Sequence, residues 1–434
     1  MTAEIAVLNK EAVALSADSA VTIQTGVGPK VFNSVSKIFG LTRSEPVGIM
    51  LYGQANFLDV PWETIIKAFR EEREPKPLDD LPAYGAAFIQ FIEDWPDMFP
   101  DNVQQDYVAH TINSYFGNIE RSIVQSIEEH IEAEGRIKRS HAKAFVTEEI
   151  EAHHSLWKAA PDTDGGLAGT AKEIRTKYAT QIKEARLDVF ANAQLNSSSA
   201  KRLGEIASWL FTKKPPEGTR NPHHSGIVVA GFGSKDYFPC LVNYEVEGMA
   251  LNAVKYTLRV PIAVSRDEGE AFVVPFAQRD SVVAFMEGLH PIARRTVLQE
   301  MVRLLSDYPR EVLEEASISP QTRQKVLEAF RKRRQQELDV IIHKLLDHVE
   351  QQHVSPVVEV VSVLPKDELA MMAESLVSLT SFRHRVSFGA ETVGGPIDVA
   401  VISKGDGFVW IKRKHYFKQE LNPQFVAHRH GGSA

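Results

Sequence analysis

Thr2-Ala3-Glu4-Ile5-Ala6-Val7-Leu8-Asn9-Lys10-Glu11-Ala12-Val13-Ala14-Leu15-Ser16-Ala17-Asp18 is the stretch on which the fold turns. Residues 3–9 and 12–17 are rich in Ala, Val, Ile and Leu, and Asn9-Lys10-Glu11 lies between them. This reads as two buried strands joined by a tight turn. Moving outward, a loop with Gly and Pro runs from Thr25 to Pro29. Two short strands follow, around Lys37-Ile38-Phe39-Gly40 and from Val47 to Tyr52, and Gly53 closes them. Phe57, Val60, Ile65, Ile66 and Phe69 then give helical spacing over 56–73. Four strands followed by a helix predict a sheet covered by helices.

The chain changes character after residue 82. From 83 to about 213 the pattern is helical, broken at Pro161-Asp162-Thr163-Asp164-Gly165-Gly166 and ended by Lys213-Lys214-Pro215-Pro216-Glu217-Gly218. Both are breaker clusters. Strand periodicity returns with Gly226 to Gly233, helices fill 279–350, and a helix at 366–380 precedes strands at Ile397–Ser403 and Gly407–Lys412. The predicted organisation is an α+β core in three pieces, 1–82, 223–289 and 351–418. A helical insertion occupies 83–222, a helical extension 290–350, and a polar tail 419–434. The insertion reads as amphipathic and too polar to form a second buried core. One helix accounts for 320–350, where Val326, Leu327, Phe330, Leu338, Ile341, Ile342, Leu345 and Leu346 share a stripe.

Composition excludes several classes. The 434 residues are 43% hydrophobic and 24% charged, the balance of a globular protein, and the net charge of -8 gives no global basic field for nucleic acid or anionic lipid. Arg331-Lys332-Arg333-Arg334 and Lys412-Arg413-Lys414 are local basic runs, read as solvated faces. Cys240, the sole cysteine, sits in an apolar run and reads as a packing residue, in keeping with a reducing, cytoplasmic setting. No apolar run is long enough for a membrane helix, and the N-terminus lacks the pattern of a secretory signal.

The chemistry centres on Thr2. A threonine hydroxyl is a weak nucleophile until a base takes its proton. A threonine at the very N-terminus carries its own base, since an α-amine has a pKa near about 7.7–8. The small residue after Met1 favours removal of that Met, which would expose Thr2. Asp18 follows the second strand, where it can lie near the start of its partner. Lys37 begins the next strand, and a cation there would lower the pKa of a neighbouring amine. Gly53 offers an unhindered backbone N–H as an oxyanion donor. The bland alternative for Asp18 and Lys37 is an ion pair at strand ends, and many chains have an inconsequential Thr in second position.

Thr2, Ala17-Asp18 with Thr22, Lys37-Ile38-Phe39 and Gly53 together resemble the opening of the proteasomal β-subunits and their bacterial relatives, a family of Ntn hydrolases. Val228 to Gly248 is similar to a strand pair of that family, and Gly394-Gly395-Pro396-Ile397-Asp398 to its penultimate strand, with Asp406-Gly407 as the closing turn. The resemblance implies a four-layer αββα sandwich and an N-terminal-threonine peptidase or amidase. It casts Thr2 as nucleophile, Asp18 and Lys37 as charge partners and Gly53 as oxyanion donor, with no cofactor and no metal. It also implies a peptide or protein substrate, a homo-oligomer and an unfoldase or adaptor partner.

Two features depart from the family. Phe276-Ala277-Gln278 stands where active members carry a Ser between glycines, and Ala390 and Val393, with Glu391 and Thr392 between, stand where they carry an Asp and a Ser. A non-catalytic assembly or binding subunit is therefore the alternative. His153-His154 and His223-His224 are adjacent pairs, which point apart on a helix and do not preform a metal site. Gly26 to Lys30 lacks phosphate-loop spacing, and Asp162 with Asp164 lacks the terminal Glu of a calcium loop.

Overall fold

The structure is a computed structural model describing residues 2–25, 28–72, 77–193, 195–217, 219, 224–265, 269–315, 319–386, 393–415, 417–418 and 421–422. Met1, Gly26, Val27, Gly218, His223, Ala390, Glu391, Thr392 and nearly all of the expected tail lie outside the described residues. In chain order the strands are β1 (Ala3–Asn9), β2 (Ala12–Ala17), β3 (Val21–Thr25), β4 (Gly28–Phe32), β5 (Ile38–Gly40), β6 (Val47–Gly53), β7 (Asn56–Phe57), β8 (Val60–Pro61), β9 (Ser225–Gly231), β10 (Cys240–Ala250), β11 (Ala253–Ala263), β12 (Ala271–Ala277), β13 (Asp398–Ser403) and β14 (Gly407–Lys412). The helices are α1 (Trp62–Glu72), α2 (Leu81–Glu93), α3 (Asp101–Glu134), α4 (Arg139–Ala159), α5 (Ala171–Lys177), α6 (Ala179–Val189), α7 (Ser197–Thr212), α8 (Asp280–Glu287), α9 (Pro291–Glu315), α10 (Pro320–Val349), α11 (Ser355–Ser362) and α12 (Lys366–Val386). The chain is thus mixed α+β with antiparallel sheets, and it divides into two compact units.

The first unit comprises Met1–Ile38, Tyr237–Pro239 and Ala263–Ala434. Its five-stranded sheet has the order β12-β1-β2-β13-β14. β1 and β2 form the expected hairpin, with Glu4 opposite Ala17 and Leu8 opposite Val13. The Asn9 side chain shapes the turn. Its Oδ1 accepts from Glu11 N at 2.9 Å and Ala12 N at 3.3 Å, while its Nδ2 donates to the carbonyls of Val361 and Leu364 at 3.0 and 2.8 Å. Every residue of β1 and β2 except the turn is buried, which is why neither strand alternates with polar residues. Ala3, Ile5 and Val7 of β1, Ala12 and Ala14 of β2, and Val399 and Val401 of β13 pack against Leu369, Ala373, Leu376 and Val377 of α12. Strand geometry therefore turns Glu4, Ala6 and Leu8 to the opposite face.

The second unit comprises Phe39–Asp236 and Cys240–Ile262. Its sheet has the order β11-β10-β9-β6-β5, with β9 antiparallel to both β6 and β10. Trp62, Phe69, Phe88 and Phe99 are fully buried beside it, with rings in edge or tilted contact. α2 begins at a cap in which Asp80 accepts from Ala83 N at 2.9 Å. Helices α3 to α7 build a core of their own from Val108, Ile112, Phe116, Ile150, Trp157, Tyr178, Leu203 and Phe211, among others. The expectation that this block is too polar for a buried core fails. Long helices with a charged outer face lower the average hydrophobicity of a segment whose inner stripe is fully apolar.

Other expectations shift in detail. Of the expected loop, Thr25 belongs to β3 and Gly28 and Pro29 to β4, with Thr25 opposite Gly28 in an antiparallel pair. Phe57 and Val60 belong to the small β7–β8 hairpin, whose turn residues Leu58 and Asp59 have φ of 46° and 66°, so the helix begins only at Trp62. Beyond α10 a π-helical turn at Glu350–Val354 leads into α11, which the valine-rich sequence Val357-Val358-Glu359-Val360-Val361 did not announce because β-branched residues disfavour helix locally. Cys240 is buried at the start of β10. Among the described residues, no helix is long and apolar enough to cross a membrane.

Candidate functional site

The site lies in the first unit, at the end of the β1–β2 hairpin opposite its turn. Thr2 precedes β1, Asp18 follows β2 and Lys37 directly precedes β5. All three are buried, with Thr2 only 4% exposed in the chain that carries Met1. Lys37 Nζ donates to Asp18 Oδ1 and lies 3.0 Å from Glu4 Oε1. Asp18 Oδ1 also accepts from Ala3 N at 3.1 Å, and Oδ2 accepts from Gly394 N at 2.8 Å. Asp18 therefore ties together the start of β1, Lys37 and the segment before β13. Ser19 N donates to the Gly394 carbonyl at 3.2 Å, and the Ser19 hydroxyl donates to the Pro396 carbonyl. Gly395, with φ of +77°, is the residue this crossing needs, since a Cβ there would meet Asn33 at 3.0 Å.

The residue missed in the sequence is Glu4. It lies in β1 two residues after Thr2 and is completely buried. Neither of its oxygens has a partner in hydrogen-bonding geometry, although Lys37 Nζ stands 3.0 Å away and the Thr2 hydroxyl adjoins it. Burial pushes the Glu4 carboxyl up to about 7, and the negative charge of Asp18 adds to this; Lys37 and the Thr2 hydroxyl oppose it. The available signal was a single acid within an otherwise apolar strand buried on both faces.

Gln278 adjoins Thr2, and His384 adjoins Gln278. Gln278 N donates to the Thr2 carbonyl at 3.2 Å, and Gln278 Oε1 stands 3.2 Å from His384 Nε2. Burial, reinforced by the neighbouring Arg383 charge, holds His384 below its usual value. Ala277, opposite Ala3, has φ of +51°, a left-handed conformation that costs a non-glycine residue about 1–3 kcal/mol. The segment expected to depart from the family at Phe276-Ala277-Gln278 thus makes direct backbone contact with Thr2.

Gly53 is not brought into this cluster by the first unit; it belongs to the second, at the end of β6. Its φ is +80°, and a Cβ would lie 2.4 Å from the His224 carbonyl oxygen. Both facts give the glycine a structural reason of its own.

The remaining candidates have structural partners. His153 Nδ1 stands 2.7 Å from the Tyr115 hydroxyl and His154 Nε2 stands 2.7 Å from Glu205, so the adjacent histidines point to different neighbours. Asp164 accepts from Leu258 N and pairs with Lys214. In the basic runs, Arg334 donates to Ser306, Lys412 pairs with Glu374, and Arg413 stacks over Trp410. Among the described residues, no group of three or more His, Cys, Asp or Glu side chains could hold a metal ion. In comparison with known proteins, no family model and no curated protein matches the chain.

Proposed function

We propose that the chain is a proteasome-like Ntn hydrolase that cleaves amide or peptide bonds with Thr2 as its nucleophile. The observation that carries this reading is Lys37 seated between the buried carboxyls of Asp18 and Glu4, beside Thr2 at the edge of the β1–β2 hairpin. In the reaction the Thr2 hydroxyl attacks the substrate carbonyl as its proton passes to a neighbouring base. The C–N bond then breaks as the amine leaves with a proton, and water releases the acyl group from Thr2. The family resemblance supplies the α-amine, freed by loss of Met1, as that base. The reading implies the αββα sandwich, for which each unit offers one five-stranded antiparallel sheet.

The reading extends to assembly. α9 buries none of its residues and exposes Ile292, Val297, Leu304 and Tyr308, which supports a homo-oligomer or a protein partner such as an unfoldase. Light scattering is expected to show a species larger than a monomer at micromolar concentration; a monomer throughout would remove that extension.

A second reading, a non-catalytic subunit, is favoured by the near-complete burial of Thr2 and by Gln278 at its carbonyl. Incubation with a peptide epoxyketone, followed by intact-mass and N-terminal analysis, separates the two. An adduct on Thr2 with Met1 absent is the expected result. Quantitative retention of Met1 with no adduct would establish the second reading.

A further inference from the structure

The Ntn reading leaves the base open to a physical objection. Lys37 was expected to lower the pKa of the α-amine by its charge. Yet Lys37 faces two carboxyls at once, Asp18 and Glu4, both fully buried. With Asp18 ionised the lysine charge is already cancelled, and with Glu4 ionised as well the cluster carries a net negative charge. Such a cluster raises the proton affinity of a nearby amine instead of lowering it. A base of another kind is needed beside the hydroxyl.

We propose that Glu4 is the general base that takes the proton of the Thr2 hydroxyl. This rests on the reading of Thr2 as the nucleophile. Glu4 of β1 is completely buried and adjoins the Thr2 hydroxyl, and besides that hydroxyl only Lys37 Nζ, at 3.0 Å, stands against its oxygens. A buried carboxylate that no water or backbone N–H solvates is a correspondingly strong base. Its protonation equilibrium is centred near neutrality, where a base is most effective. Lys37 at 3.0 Å limits the cost of the ionised form, and Asp18 fixes Lys37 through its bonds to Ala3 N and Gly394 N.

The step balances. As the Thr2 Oγ1–C bond forms, the Oγ1–H bond breaks and the proton moves to Glu4, while the carbonyl π pair moves to oxygen. The protonated Glu4 then delivers that proton to the departing nitrogen as the C–N bond breaks. In deacylation it accepts a proton from the attacking water and returns it to Thr2 Oγ1.

The test is acylation of Thr2 by a peptidic β-lactone, a probe that reports on the hydroxyl alone, followed by mass spectrometry between pH 5 and 9. In the wild type the rate is expected to rise with an apparent pKa near neutrality. Glu4→Gln is expected to slow acylation by about 10²–10⁴-fold at pH 8 and to abolish that inflection, and Glu4→Asp to restore part of the rate. An E4Q protein that acylates within about threefold of the wild type, with an unchanged pH profile, overturns the proposal while leaving Thr2 as the nucleophile. No acylation of Thr2 in the folded wild type overturns both. If E4Q does not fold, the wild type decides through temperature. A carboxyl base leaves the apparent pKa nearly fixed, whereas an amine base lowers it steeply on warming, and that steep decline would overturn the proposal.

Discussion

Glu4→Gln also tests the electrostatics of the cluster without reference to catalysis. In the folded chain the Glu4 carboxyl stands at about 7 against an ordinary 4.5, chiefly because it is buried. At about 1.4 kcal/mol for each tenfold change in proton affinity, this corresponds to roughly 3 kcal/mol. The sign follows from linkage. The folded state holds the proton more tightly than the unfolded state, so the stabilisation is complete below pH 4.5. It is lost as pH rises towards 7 and changes no further above that. Glutamine nearly matches glutamate in shape and carries no such proton, so the variant loses this slope. At pH 8 it is expected to be more stable than the wild type by up to roughly 3 kcal/mol, a figure that already includes the opposing Lys37 contact. Hydrogen-exchange mass spectrometry of β1 and β2 peptides at pH 5, 6, 7 and 8, corrected for intrinsic exchange, measures the difference. Other groups that titrate in this range cancel between the two proteins. Identical pH dependence in wild type and variant would refute the reasoning, for it would mean that Glu4 is solvated or paired in the folded state.

Gly53→Ala places a Cβ 2.4 Å from the His224 carbonyl oxygen at a φ of +80°. It is expected to destabilise the second unit by about 1–3 kcal/mol, read as faster exchange in β6 and β9, and unchanged exchange would show that the turn relaxes freely. Asn9→Leu leaves the Val361 and Leu364 carbonyls and the Glu11 and Ala12 amides without their partner. A loss of at least about 2 kcal/mol in urea unfolding of the first unit is expected, and a near-neutral effect would mean that water replaces these bonds.

The β1–β2 hairpin was legible because two apolar runs flank a three-residue polar turn, and its buried state was legible because those runs do not alternate. Thr2, Asp18 and Lys37 were legible as strand-end polar residues, and the hairpin does bring Asp18 and Lys37 together. Glu4 was not. One acid in an otherwise apolar strand has no spacing pattern that ties it to Lys37, which lies 33 positions further on. Gln278 and His384 lie 276 and 382 positions from Thr2 in the sequence, and only the pairing of β12 with β1 and the packing of α12 bring them near. The core of α3 to α7 was hidden by averaging over helices whose outer faces are densely charged. α11 was hidden because packing overrides the local preference of its valines.

Buried ion pairs elsewhere in the chain give the cluster its meaning. Lys255 pairs with Glu247 at 2.8 Å in the second unit, and Lys414 pairs with Asp398 in the first. Each matches one cation to one carboxylate, as structural pairs do when their purpose is to fix local geometry. Around Lys37 there are two carboxyls for one cation, and only Asp18 is provided with backbone donors. Removing the Glu4 carboxyl from water, without a backbone donor, costs several kcal/mol in the ionised form. Replacing a buried ionic group by an apolar one of similar volume is commonly neutral or stabilising by about 1–4 kcal/mol, and Ile5, Val7 and Leu8 show that this strand is built to accept such side chains. Stability therefore gives no reason for an acid at position 4. What distinguishes the position is its neighbour, the Thr2 hydroxyl, beside a carboxyl whose proton affinity burial has raised, and the proposed role as general base is the one reading here that uses both.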